Sequence, residues 1–216
     1  MRLTALTLLT VLGAAGPLAA QAPAGWTWHT DAPVTWVASV DKPVDSLLAF
    51  VRMPPGWHLT MGPGGVLYEP RYFAEGNYTL EAQYFHFPNS SAAEYGLMVG
   101  GRDLSGGGAR YVAFVARGDG SVAAWERVGG RDRMLAEWRR AEAVRPTDGK
   151  EVVGNVLRLT VTAREAVLKV NGLDALILPL DGVSLDGQFG FRVGRGMNLH
   201  ASTLTVTQRL APVRGQ

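Results

Sequence analysis

The sequence predicts an all-β chain folded as two stacked antiparallel sheets, and three observations carry that reading. Between Asn155 and Leu178, Leu157, Leu159 and Val161 alternate with Arg158, Thr160 and Thr162, the two-residue repeat that puts apolar side chains on one face of a strand. After a polar turn at Arg164-Glu165 the alternation resumes with Ala166, Leu168 and Val170. Asn171-Gly172 then supplies the positive-φ pair of a tight hairpin, and Leu173, Ala175 and Ile177 begin a third strand. Three antiparallel strands with one apolar face form a meander that a second layer must cover. Strand-like stretches also recur along the whole chain at roughly 8 to 12 residue spacing, the pattern of a sandwich or barrel.

Residues 1–20 read as a secretory signal peptide. Arg2 precedes an apolar run from Leu3 to Leu12, and Gly13, Gly16 and Pro17 lead to the small residues Ala19-Ala20. The run is shorter than the roughly 20 apolar residues of a membrane span. An uncleaved N-terminal anchor is the alternative. Removing residues 1–20 leaves about 196 residues, one domain's worth of all-β chain. It divides into a leader at 21–33, a sandwich at 34–210 and a tail at 211–216. The chain has no cysteine, so an exported form must rest on apolar burial and sheet hydrogen bonds. Its 21 Lys and Arg stand against 19 Asp and Glu, and the arginines are dispersed. No basic stripe of the kind nucleic acid requires is present.

Taken in order, Trp26, Trp28 and Trp36 are clustered aromatics suited either to stacking on a pyranose or to covering the core, and Thr35 to Val40 reads as a strand. Ser46 to Met53 is the next strand, ended by Pro54-Pro55, and Gly56 to Pro70 reads as a hairpin about Gly62-Pro63-Gly64-Gly65. Asn77 to Phe87 alternates Tyr78, Leu80, Ala82 and Tyr84 against Thr79, Glu81, Gln83 and Phe85. In the following strand Tyr95, Leu97 and Val99 take the buried side, while Glu94, Gly96, Met98, Gly100 and Arg102 form an open, glycine-lined face. Leu104 to Ala109 is a mobile glycine loop. Arg110 to Arg117 and Ser121 to Val128 make a hairpin; the adhesion-like triplet Arg117-Gly118-Asp119 sits where its Asp-Gly turn falls. Asp132 to Ala143 is either the one helix or an extended edge carrying Trp138. Gln188 to Gly194 sets Phe189, Phe191 and Val193 against Gln188, Gly190 and Arg192, and in Asn198 to Gln208 the residues Asn198, His200 and Ser202 share a face. Asn77-Tyr78-Thr79 and Asn89-Ser90-Ser91 match the glycosylation triplet, a pattern common by chance.

The motifs Gly-Trp-His with Gly-Pro-Gly (56 to 64), Tyr-Gly-Leu-Met-Val-Gly-Gly-Arg-Asp (95 to 103), Arg-Gly-Asp-Gly (117 to 120), Val-Asn-Gly (170 to 172), Gly-Gln-Phe-Gly-Phe-Arg-Val (187 to 193) and Asn-Leu-His (198 to 200) follow one another in order. Together they resemble the concanavalin A-like lectin/glucanase superfamily, in the exported bacterial branch near the DUF1080 (3-keto-disaccharide hydrolase-like) domains, over residues 45 to 207. The resemblance implies a jelly-roll sandwich. The chain departs from the hydrolase-like domains where Glu94-Tyr95-Gly96 stands for Asn-Ser-Gly, and it lacks the Glu-x-Asp-x-x-Glu strand of laminarinase-type glucanases.

Glycoside hydrolysis needs two carboxylates about 5 to 10 Å apart. No strand carries acids at that spacing, but Glu81 and Glu94 could meet across adjacent strands beside Arg192 and His200. The competing reading pairs them with Arg102 or Arg192 as structural ion pairs. His29, His58, His86 and His200 are too dispersed to ligate a metal. Asp103, Asp119 and Asp132 lie in loops and leave room for one Ca²⁺; no other cofactor is expected. The function expected is an exported, non-catalytic module that binds carbohydrate through Trp57, His58, Tyr68, Arg102, Trp125, Arg192 and His200. A glycan-directed hydrolase and a ligand-free envelope domain are the alternatives.

Overall fold

The computed structural model describes residues 22–88 and 93–208. The segment 1–20 expected to be a signal peptide, the Asn89-Ser90-Ser91 triplet and the tail at 211–216 lie outside these residues. The described chain is all strand: β1 (Thr27–Thr30), β2 (Thr35–Trp36), β3 (Leu47–Arg52), β4 (Trp57–Met61), β5 (Gly65–Ala74), β6 (Tyr78–His86), β7 (Glu94–Arg102), β8 (Arg110–Arg117), β9 (Ser121–Val128), β10 (Arg131–Arg140), β11 (Val153–Val161), β12 (Glu165–Val170), β13 (Leu173–Pro179), β14 (Gly187–Val193) and β15 (Met197–Gln208). None of it is a helix long and apolar enough to cross a membrane. A seven-stranded sheet runs β1-β5-β14-β7-β8-β9-β10, and an eight-stranded sheet runs β13-β12-β11-β6-β15-β4-β3-β2. Pairing is antiparallel throughout except between β2 and β3. This is the all-β, two-sheet antiparallel jelly-roll sandwich that the alternation predicts.

The predicted meander is β11-β12-β13, and Leu157, Leu159, Leu168 and Val170 are wholly buried. Its turn is built as expected, with Asn171 at φ 50° and Gly172 at φ 86°. The third strand differs in phase. A bulge opposite Leu168-Lys169 leaves Ala175 unpaired, so Leu176 and Leu178 turn inward while Leu173 and Ile177 face solvent.

Three other expectations are corrected, and one open alternative is decided. Residues 27–30, placed in a flexible leader, form β1 and complete the edge of β5. Gly56 to Pro70 is not a hairpin, because β4 and β5 belong to different sheets and Gly62-Pro63-Gly64 carries the chain between layers. Of the two readings of Asp132 to Ala143, the extended edge holds and the helix does not: β10 pairs with β9, whose open edge offers backbone partners that outweigh local helix propensity. The outer face of β7 is not open, since Met98 is fully buried in a second apolar cluster with Val66, Tyr68, Tyr111, Ala113, Val115 and Trp125. Leu104 and Ala109 anchor the ends of the glycine loop to that same cluster.

The main core lies between the sheets. At its centre Phe191 stacks on Trp26 at 5.4 Å and 11°, contacts Trp57 at 5.4 Å and meets the edge of Tyr84 at 6.0 Å. Trp26 and Trp57 are thus core aromatics. Removing this ring opens a void that neighbouring aromatics on both sheets cannot close, so Phe191→Ala is expected to lower unfolding free energy by about 3 to 5 kcal/mol in urea denaturation. A loss under about 1 kcal/mol would contradict this packing.

Candidate functional site

Alternation gives the seven-stranded sheet an outer face, and register fixes what stands on it. One row across the strands reads Tyr68, Gly190, Met98, Ala113 and Trp125; the next reads Val66, Arg192, Gly96, Val115 and Ala123. Small residues beside Arg192 and Trp125 leave depth for long side chains to lie down on the sheet. The guanidinium of Arg192 does so, with its carbon 4.9 Å from the centre of the Trp125 ring.

Arg192 is almost fully buried and is held on both sides. Its Nη2 donates to Asp31 Oδ2 at 2.8 Å and its Nη1 to Asp31 Oδ1 at 3.2 Å, while Nε donates to Glu94 Oε1 at 3.0 Å. Arg127 Nη1 donates to the same Asp31 Oδ1, and Arg127 clasps Asp132 through Nε and Nη2 at 2.7 and 2.8 Å. Three carboxylates and two guanidiniums therefore form one chain across β7, β9, β10, β14 and the turn after β1. Burial alone would raise the Asp31 carboxyl, but Arg192 and Arg127 outweigh it and hold the group below the usual carboxylate range. Burial pushes the Tyr111 phenol, 3.4 Å from Arg192 Nη1, up to about 12. Glycine at position 64 leaves room for the cluster: a Cβ there would stand 2.4 Å from Asp31 Oδ2 and 2.9 Å from Arg192 Nη2, so the ion pair would have to shift.

Beside the cluster, at the β1 end of the sheet, a cavity of about 500 Å³ opens on the same face. Its lining includes Tyr68, Pro70 and Leu104 with the polar groups of Thr27, Asp103, Ser105 and Gln188, while Trp28 reaches it from β1 with its side chain packed, as that of its partner Leu67 is, against the main core. Asp103 holds φ at 52°, a left-handed backbone uncommon outside glycine and concentrated at functional sites. Gln188 is oriented by donating Nε2 to the Pro70 carbonyl at 2.9 Å.

The structure brings together Tyr68, Trp125, Arg192 and Glu94 of the sequence-predicted residues. Trp125 is only 4% exposed, with Arg192 and Tyr111 against it, so its faces are taken. Arg102 stands at the exposed end of β7 and donates to the Asp186 carbonyl at 3.3 Å. Trp57 belongs to the core. Glu81 and Glu94 do not meet, because β6 and β7 lie in different sheets: Glu81 pairs with Arg158 on the outer face of the eight-stranded sheet and Glu94 with Arg192 on the opposite side of the sandwich. An acid pair made of these two is overturned. Asp103, Asp119 and Asp132 stay apart, Asp119 bound by Ser121 and Asp132 by Arg127. Among the described residues no three His, Asp or Glu side chains gather as a metal site.

His58 and His200 face each other across β4 and β15 on the outer side of the eight-stranded sheet. His200 Nε2 donates to the Pro55 carbonyl at 2.8 Å, and Thr60 Oγ1 lies 3.3 Å from His58 Nε2. Burial, reinforced by His200, holds His58 below the usual histidine range. The residues that sequence reasoning missed are Asp31, Arg127 and Tyr111. No spacing signals them, since they reach Arg192 from distant strands.

Two pH responses follow. The unfolded chain binds a proton on His58 more readily than the folded one, so stability is full above about pH 6.5 and falls as pH drops below it; His58→Gln should flatten this limb of a pH-stability profile, and an unchanged limb would contradict it. Asp31 acts in the acid range: its contribution is present above about pH 4 and is lost as pH falls further. Asp31→Asn should remove that acid limb and, by leaving two guanidiniums short of charge, cost about 3 kcal/mol at neutral pH in denaturant titration. A neutral substitution would show that the cluster does not hold the face together.

No protein-family model matches the chain, and no curated protein matches it in sequence. Solved structures do. The carbohydrate-binding module CBM66 from Bacillus subtilis superposes with a TM-score of 0.62 at 12% identity, covering 84% of this chain and 94% of that one. A Bacillus subtilis protein of unknown function with a galectin-like fold gives 0.58 at 15% identity over 85% and 89%. The GH16 protein of the Bacteroides ovatus mixed-linkage glucan PUL, in complex with product, gives 0.57 at 10% identity over 87% and 97%. At these identities the likeness is one of fold: the chain has the jelly-roll sandwich architecture of the concanavalin A-like type.

Proposed function

We propose that the protein is an exported carbohydrate-binding module whose ligand sits on the outer face of the seven-stranded sheet, in the cavity lined by Thr27, Tyr68, Asp103 and Gln188. The observation that carries this reading is the cavity's composition. A volume of about 500 Å³ lies within the usual range for small-ligand sites, and it joins apolar surface at Tyr68, Pro70 and Leu104 to hydroxyl, amide and carboxylate groups. A sugar ring needs that combination, an apolar face for its C–H side and fixed polar partners for its hydroxyls. Neighbours that share the fold include a carbohydrate-binding module and a glucan-bound GH16 protein, which agrees with the reading. Export rests on residues 1–20, whose charged start, apolar run and small-residue end have no evident role in a packed sandwich.

In this account the Arg192 cluster is the foundation of the site. It fixes β14, β7 and β9 at one geometry and leaves the rim of the cavity to do the recognising. Asp103→Gly tests the claim cleanly, since glycine accepts φ 52° and only the carboxylate is lost. With the mature chain on a glycan array and in calorimetry, a bound neutral oligosaccharide should lose about tenfold or more in affinity in this variant, the worth of a charged hydrogen bond. A folded protein that binds no glycan, or whose binding ignores both Asp103→Gly and Ser105→Ala, would overturn the proposal.

A further inference from the structure

The opposite side of the sandwich carries a second groove, which we infer to be an independent binding site for acidic oligosaccharide, a chain of uronate-type sugars. Two adjoining concavities of about 380 and 850 Å³ share Glu81 and Arg158 and run across β12, β11, β6 and β15. Register sets out their floor in rows: Thr160, Thr79 and Thr207, then Arg158, Glu81 and Thr205, then Val156, Gln83 and Thr203. Strand spacing of about 4.8 Å separates the side chains within a row, so hydroxyl and amide groups repeat at an interval a sugar chain can follow. At the far end the Phe85 ring covers Gly154, where an added Cβ would stand 3.2 Å from a ring carbon. Glycine thus lets the ring lie against the strand, half-buried, with apolar surface toward the groove.

Charge selects the ligand. Arg145, Arg158 and Lys169 line the groove, and Glu81 is the one carboxylate among its lining residues. Arg158 pairs with Glu81, and Lys169 with Asp174 at the flank. Both pairs are solvent-exposed contacts of the kind worth under about 1 kcal/mol, which a ligand carboxylate can replace. Arg145 is exposed and pairs with no carboxylate among the described residues. Three cations set among threonines and an aromatic ring fit a hydroxylated chain that carries carboxylates. A single half-buried ring, Phe85, gives successive bases no stacking platform of the kind single-stranded nucleic acid uses. This site does not depend on the Tyr68 cavity and would stand if that reading failed.

The test uses oligogalacturonate and its methyl-esterified form, the same chain without charge, titrated into the mature protein by calorimetry. The acidic oligomer should bind, weaken as NaCl is raised, and exceed the ester by about tenfold or more. The double variant Arg145→Ala/Arg158→Gln, both exposed positions, should lower that affinity at least about tenfold while Asp103→Gly leaves it unchanged. The inference is overturned if folded protein binds neither form, if acid and ester bind equally, if the double variant binds normally, or if single-stranded DNA competes at equal strength.

Discussion

The Asp31 carboxylate, shared between Arg192 and Arg127, is the contact on which the outer face of the seven-stranded sheet depends. That sheet is buried on both sides, an unusual demand for antiparallel strands, which commonly leave one face in water. Apolar residues meet the demand on the core side. On the other side Val66, Met98, Ala113 and Val115 cluster with Tyr68, Leu104, Tyr111 and Trp125, with Arg192 laid over the Trp125 ring, and a buried guanidinium is tolerable only where carboxylates surround it. Asp31 arrives from the turn after β1, so one ion pair also fastens the N-terminal edge strand to the middle of the sheet. Breaking it would expose an uncompensated charge and loosen β1, the strand that carries Thr27 to the adjoining cavity.

Most of the fold was legible because alternation is a direct consequence of strand geometry. Leu157, Leu168, Phe189 and Phe191 are buried as the pattern requires, and Asn171-Gly172 turns where the sequence says it must. The failures share a cause, which is that pairing between distant strands leaves no local trace. Gly62-Pro63-Gly64 has the composition of a hairpin turn, yet it serves as a crossing between layers. Its Gly64 packs closely against a carboxylate more than thirty residues earlier and an arginine more than a hundred later. Arg131 to Arg140 has helix-forming residues, but the open edge of β9 decides its state.

The site was legible only in part for the same reason. Arg192, Glu94, Tyr68 and Trp125 stood out as polar or aromatic residues on alternating strands, and they do share a face. Glu81, His58 and His200 stood out equally and belong to the other one. Alternation assigns a residue to a side of its own strand, but the sheet to which that strand belongs is settled by topology. The two faces that result are chemically distinct. One presents a filled, charge-locked surface with a compact aromatic cavity beside it, and the other an open, threonine-rich groove with cations along it.

The central claim is that a sugar ring occupies the cavity lined by Thr27, Tyr68, Asp103 and Gln188. Amide chemical-shift mapping during titration with a bound neutral oligosaccharide addresses it most directly. The account predicts the largest shifts at Thr27, Trp28, Asp103, Ser105 and Gln188, with Thr79, Thr160 and Thr205 unmoved; shifts confined to those threonines, or spread evenly over both faces, would contradict it.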